Sequence, residues 1–211
     1  MNKYRVYGDM LSGNCYKIAM LLEFMGVSYD WEAVDVLSGY TQSPEFKQLN
    51  ANAKIPLLEI TDSEAGGKEY LSESNAILNY LAEGSEYLPA AGLARGRVLQ
   101  WQFFEQYSHE PYIAVARFIK HFLGLPTERQ GEFASKQAGG HKALAIMDAQ
   151  LSRTPYLAGE GLTIADISLY AYTHVAPDGG FDLTEYANIL AWMARIEALP
   201  NYLPMQNNIA D

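Results

Sequence analysis

The sequence predicts a small α/β domain followed by an all-helical one. Three observations carry this. Strand-like runs alternate with helical patterns up to residue 82. A connector rich in Gly, Pro and Ser follows at residues 83–93. Residues 94–211 then show helical periodicity and no convincing strand.

The elements follow in order. Arg5-Val6-Tyr7 suits a short strand, because aromatic and β-branched side chains fit a pleated surface. Gly8 and Asp9 break it, and Ser12-Gly13-Asn14 supplies turn and N-cap chemistry. Ile18, Leu21, Leu22 and Met25 then recur as one apolar helical face. Residues 29–34 read as a second strand, and residues 45–49 as a short helix after a turn-rich stretch. The run from Asn50 to Ile60 is a loop entering a strand, residues 62–68 suit a hairpin turn, and Glu69-Tyr70-Leu71 would pair back at an edge. Ser72 is placed to cap a helix whose buried face is Ile77, Leu78 and Leu81.

Beyond the connector, residues 94–123 form a long helical pattern, with a kink or break expected at Pro111. A second helix is expected from Thr127 to Leu151, weakened at Gly139-Gly140 by about 1 kcal/mol per glycine. Thr163-Ile164-Ala165-Asp166 reads as a capping box, with Leu162 and Ile167 in hydrophobic-staple positions. A last helix covers residues 186–198, ahead of Pro200.

The 211 residues are 49% hydrophobic and 12% aromatic, which is enough for a real core. A net charge of −10 argues against nucleic acid and against an anionic membrane surface. No apolar run has the length of a membrane span, and the first residues lack a secretory pattern, so a cytoplasmic protein is expected. Cys15 is the lone cysteine, which permits no internal disulfide and no cysteine zinc cage. His109, His121, His141 and His174 lack metal-ligand spacing, so no metal is expected. Phosphate-loop, dinucleotide and serine-hydrolase glycine patterns are absent.

Ser12 has two roles open to it. As an N-cap it would stabilise its helix by about 1 kcal/mol. Alternatively its hydroxyl donates to an anion held at the helix start, where free N–H groups already favour negative charge. A free thiol with a pKa of about 8.5 is only about 3% thiolate at pH 7. One hydrogen bond to the charged form is worth about 1.5–3 kcal/mol, or about one to two pKa units. A serine there could therefore make a bound thiol reactive without a general base. Cys15, three residues on, reads either as a small buried hydrophobe or as a reactive thiol. Ile55-Pro56 could hold a cis bond, letting the Ile55 backbone pair with an extended ligand as an added strand does. Glu73-Ser74 at a helix start either complements the dipole and caps, or takes the amine and carboxylate of a ligand.

Taken together, the chain resembles a bacterial, serine-type glutathione S-transferase over nearly its whole length. Four features carry the resemblance: Ser12 in Leu-Ser-Gly-Asn-Cys-Tyr-Lys, then Lys54-Ile55-Pro56, then Leu71-Ser72-Glu73-Ser74-Asn75-Ala76-Ile77, then Leu162-Thr163-Ile164-Ala165-Asp166. The family implies a thioredoxin-like domain over residues 1–82, a linker over 83–93 and a helical domain over 94–211. It implies that Ser12 stabilises the glutathione thiolate as the catalytic residue, and that Lys54, Ile55, Pro56, Glu73 and Ser74 bind glutathione as co-substrate. It also implies conjugation to an apolar electrophile, detoxification and a homodimer. A cleft for the second substrate is expected near Met10, Leu11, Phe104, Tyr107 and Tyr112.

Two departures stand out. The family's frequent Asn-Pro-x-Gly-Lys reads Asn50-Ala51-Asn52-Ala53-Lys54, and Ala53 argues against a left-handed backbone there. Tyr7 falls where tyrosine-type members keep their catalytic hydroxyl, although Ser12 lies nearer the helix start. Two rival functions remain: a reductase using Cys15 for mixed disulfides, and a non-catalytic module retaining the fold.

Overall fold

The structure, a computed structural model, describes residues 3–35, 37–61 and 67–205. The chain forms two compact units, one of Met1–Glu83 with Pro200–Asp211 and the other of Gly84–Leu199.

The first unit runs β1 (Tyr4–Gly8), α1 (Gly13–Met25), β2 (Tyr29–Ala33), α2 (Pro44–Leu49), β3 (Leu57–Thr61), β4 (Lys68–Ser72) and α3 (Ser74–Leu81). Its four strands lie in the order β2-β1-β3-β4. β1 pairs parallel with β2 and antiparallel with β3, and β3 pairs antiparallel with β4. The parallel pair needs a crossover, and α1 supplies it. Strand side chains alternate between faces. Tyr7 and Leu57 therefore pack with Val34 and with Phe46 of α2, while Val6 and Leu58 are buried on the other face. Gly8 is required on that second face, because a Cβ there would meet the Trp31 ring at 2.9 Å and the Cys15 Cβ at 3.0 Å.

Two sequence expectations change here, and a third falls partly outside the described residues. α1 is not apolar on one face only: every residue from Cys15 to Leu22 is buried, so it is a core helix. Ser72 ends β4 rather than capping α3, whose N-cap is Glu73. Residues 62–66 of the expected hairpin turn lie outside the described residues, and β4 pairs back on β3 as expected.

The second unit is helical: α4 (Gly92–Phe104), α5 (Glu110–Arg117), α6 (Gln130–Leu151), α7 (Ile164–Thr173) and α8 (Ala187–Glu197). Pro111 does not break the helical path. A π-helical turn over Glu105–His109 precedes it, so the wider turn absorbs the hydrogen bond that proline cannot donate, and a second π turn covers Phe118–Phe122. α6 passes through Gly139 and Gly140 unbroken. A Cβ at either would lie 2.2 Å from the ring of Tyr112 or of Phe181, so both glycines are close-approach residues. The capping box at α7 is present. Buried Asp166 accepts from the N–H groups of Thr163 (3.0 Å) and Leu157 (2.8 Å) and from the Trp192 indole (3.1 Å), which ties α7 to α8. Among the described residues no helix is long and apolar enough to cross a membrane.

Candidate functional site

The strand register gathers the predicted site residues of the first unit at one end of the sheet. Leu57, the first residue of β3, pairs with Tyr7 near the end of β1 and with Ser72 at the end of β4. The loop before β3, the loop from β1 to α1 and the link from β4 to α3 therefore all lie at the same end of the sheet. Those segments carry Ile55-Pro56, Ser12 and Glu73-Ser74. α1 and α3 both begin there, so their unsatisfied N–H groups face the same end.

Ser12 is the N-cap residue of α1, yet its side chain makes no capping hydrogen bond. Its carbonyl accepts from Tyr16 N–H at 2.9 Å, and its own N–H reaches the Asp9 carbonyl at 3.0 Å, which fixes the turn. The Asp9 carboxylate takes Leu11 N–H at 2.8 Å, leaving Met10 and Leu11 half-buried on that loop. Cys15 is fully buried. Burial pushes its thiol up to about 12, against the opposing pull of the Ser12 side chain and the Asp9 backbone.

Tyr7 is differently engaged. Its hydroxyl donates to Glu59 at 2.9 Å, and burial together with that carboxylate pushes it up to about 12. Glu59 also takes Lys68 at 2.8 Å and Tyr70 at 3.2 Å. Burial alone would raise the Glu59 carboxyl, but these donors together hold it below its ordinary value of 4.5.

The Ile55–Pro56 bond is cis, and Ile55 lies outside the β3 ladder, which begins at Leu57. Ala53, contrary to the sequence expectation, is left-handed with φ 54°. Asn50 explains it. Its carbonyl accepts Ala53 N–H at 2.9 Å, its side-chain oxygen takes Asn52 N–H at 3.0 Å, and its amide donates to the Lys54 carbonyl at 2.8 Å. Three bonds from one buried side chain and its backbone outweigh a conformational cost of about 1–2 kcal/mol. The Lys54 side chain is exposed.

Glu73 is exposed and held at φ 69°, ψ 112°, a region that L residues rarely adopt. Ser74 is buried at the first position of α3, where its hydroxyl meets Asn14 at 3.1 Å and Lys17 at 3.4 Å. The sequence placed Asn14 in the turn before α1 and gave Lys17 no role, so the contact of both with Ser74 was not foreseen. The available signal was spacing, since positions 14, 17, 18 and 21 share one helical stripe, which puts Lys17 beside Leu21 in the core.

In the second unit, Phe104 packs edge-on to Trp101 and borders a cavity of about 390 Å³ with Ile146, Ala149 and Gln150. Tyr112 lies over Gly139 with Lys136 near its ring, and Tyr107 is 86% exposed. His109 and His141 bond to Thr173 and Tyr186, each at 2.9 Å. Among the described residues no group of three His, Cys, Asp or Glu could hold a metal ion.

Comparison with known proteins gives one family and two kinds of activity. The profile described as "Glutathione S-transferase, N-terminal domain" matches residues 2–83, and "Glutathione S-transferase, C-terminal domain" matches residues 101–200. The chain is 30% identical to glutathione S-transferase 3 of Zea mays, covering 96% of this chain and 92% of that protein. It is also 30% identical to the disulfide-bond oxidoreductase YfcG of Escherichia coli, covering 89% and 87%. Among solved structures, a glutathione S-transferase from Pseudomonas fluorescens is 57% identical with a TM-score of 0.92, covering 97% of this chain and all of that one. A glutathione transferase from Pseudomonas putida, solved with one glutathione disulfide bound per subunit, is 26% identical with a TM-score of 0.84, covering 95% and 89%.

Proposed function

The chain belongs to the glutathione S-transferase family, and from that premise we propose that it conjugates glutathione to an apolar electrophile. The observation that supports this most is Ser12, a hydroxyl at the start of α1 that its helix does not use as a cap. In this reading glutathione lies across that end of the sheet. The Ile55 backbone pairs with its cysteinyl part beside Pro56, Lys54 stands at the same loop, and Glu73 with Ser74 and the α3 start takes its γ-glutamyl end. The thiol proton leaves to water. The thiolate accepts a hydrogen bond from Ser12 and is stabilised further by the N–H groups of α1. Its sulfur then forms a bond to the electrophilic carbon, and the displaced group departs with the electron pair.

Tyr7 is the weaker candidate, because its hydroxyl is already given to Glu59 and a carboxylate acceptor resists the loss of that proton. Of the residues proposed for the second substrate, Met10 and Leu11 belong to the first unit and Phe104, Tyr107 and Tyr112 to the second, where Tyr107 is the most exposed ring. A cytoplasmic detoxifying homodimer completes the proposal.

The test is steady-state conjugation of a chlorodinitrobenzene. Ser12→Ala is expected to lower kcat/KM about tenfold to a hundredfold while glutathione still binds. Tyr107→Ala is expected to move only the KM of the electrophile. Wild-type protein that binds glutathione but conjugates nothing would contradict the proposal.

A second reading has one observation in its favour, the similarity to a disulfide-bond oxidoreductase. The same thiolate would attack one sulfur of a disulfide, releasing a thiolate and forming a mixed disulfide with glutathione. A second glutathione thiolate would then release the other half and leave glutathione disulfide. Cys15 is not suited to this role, being buried with its thiol pushed up to about 12. Faster turnover of a dialkyl disulfide than of the chloroarene would favour this reading.

A further inference from the structure

α1 carries a lysine with no exposed surface, Lys17, one turn into a core helix. Its ammonium lies 2.7 Å from the Asn14 side-chain oxygen and 3.4 Å from the Ser74 hydroxyl, and the Ser74 hydroxyl lies 3.1 Å from the same Asn14 oxygen. An ammonium has donors and no acceptor, so the group Asn14 presents to it must be the carbonyl oxygen. Ser74 meets that same oxygen and must therefore donate to it. The single hydroxyl proton of Ser74 is thus spent on Asn14, while its oxygen accepts from Lys17.

A serine donating in this way offers no hydrogen to a carboxylate. It can do so by turning its O–H outward, and the cost depends on what it abandons. A buried carbonyl left without a donor costs about 1–3 kcal/mol. Here the Asn14 oxygen keeps Lys17 at 2.7 Å, and the Ser74 oxygen keeps an ammonium as donor while its hydrogen moves.

We propose that Lys17, acting with Asn14, is a positioning residue for the carboxylate of the γ-glutamyl end: it holds Ser74 as a hydroxyl free to turn from Asn14 to the ligand. This rests on the glutathione reading above and adds to it two residues that do not themselves touch the ligand.

The experiment is calorimetric titration of glutathione into the intact chain, with cysteinylglycine, which lacks the glutamyl group, as the second probe. Lys17→Met should raise the Kd for glutathione about tenfold or more, as expected for a lost hydrogen bond to a charged group. The Kd for cysteinylglycine and the pKa of the bound thiol should stay as in wild type. In a Ser74→Ala background Lys17→Met should add less than about twofold, because the hydroxyl it serves is gone. Lys17→Arg should recover most of the affinity. Should Lys17→Met fail to fold, Asn14→Ala answers the same question, with a smaller rise for glutathione that is again absent in the Ser74→Ala background. Unchanged glutathione affinity, equal losses for both probes, or full additivity with Ser74→Ala would overturn the inference. Wild-type protein that binds no glutathione would instead overturn the functional reading, before any variant is compared.

Discussion

Ser12 and Cys15 stand three residues apart at the start of α1, and their surroundings divide the chemistry between them. Ser12 is half-buried with a hydroxyl that does not cap its helix, whereas Cys15 is sealed in with its thiol pushed up to about 12. Cys15→Ala is therefore expected to keep conjugating activity within about twofold, and native protein to react with a disulfide dye only on unfolding. A rapid native reaction, checked by absorbance, would show the thiol accessible. The identities of these residues were legible because Ser, Gly and Asn before an apolar run announce a helix start. Ala53 was not legible from local rules, and Lys17 only from the helical stripe that it shares with Leu21. The backbone of Ala53 is set by hydrogen bonds from Asn50, and the burial of Lys17 is set by α1 packing against α3. Both causes act through residues that a single-position rule does not see.

At the scale of elements, apolar periodicity located most strands and helices because each buries a definite face. It misjudged places where two elements approach unusually closely. Gly140 is the clearest case. By helix propensity Gly140→Ala should stabilise α6 by about 1 kcal/mol. In the fold the new Cβ would lie 2.2 Å from the buried Phe181 ring, and overpacking of that kind costs about 1–3 kcal/mol. The variant is expected to lower the stability of the second unit by about 1 kcal/mol in urea unfolding, and Phe181→Leu added to it to recover part of the loss. Pro111 teaches the same point from the other side. The sequence marks a kink or break, and the chain accommodates the proline with a π turn over Glu105–His109, a choice set by the packing of that segment against α6 and α7.

At the scale of the molecule, the plan of a mixed sheet followed by helices was readable because the connector changes composition and strand patterns cease. The return of residues 200–205 to the first unit was not readable; Tyr16 donates there to the Leu203 carbonyl. The first unit also carries a pH dependence through the Glu59 network. Burial opposes ionisation of Glu59, but Lys68, Tyr7 and Tyr70 prevail and hold its carboxyl below 4.5. A carboxyl lowered on folding contributes stability above its unfolded value and loses it as pH falls through the folded one. Glu59→Gln should therefore cost about 1–2 kcal/mol at pH 7 and progressively less below about pH 4, as read by denaturant midpoints. Whether Ser12 makes the bound thiol reactive is read by ultraviolet difference titration of glutathione on the protein. Bound glutathione should show a thiol pKa about one to two units below that of the free tripeptide, restored in Ser12→Ala and unchanged in Tyr7→Phe. A depressed pKa that survives Ser12→Ala and disappears in Tyr7→Phe would contradict the role given to Ser12.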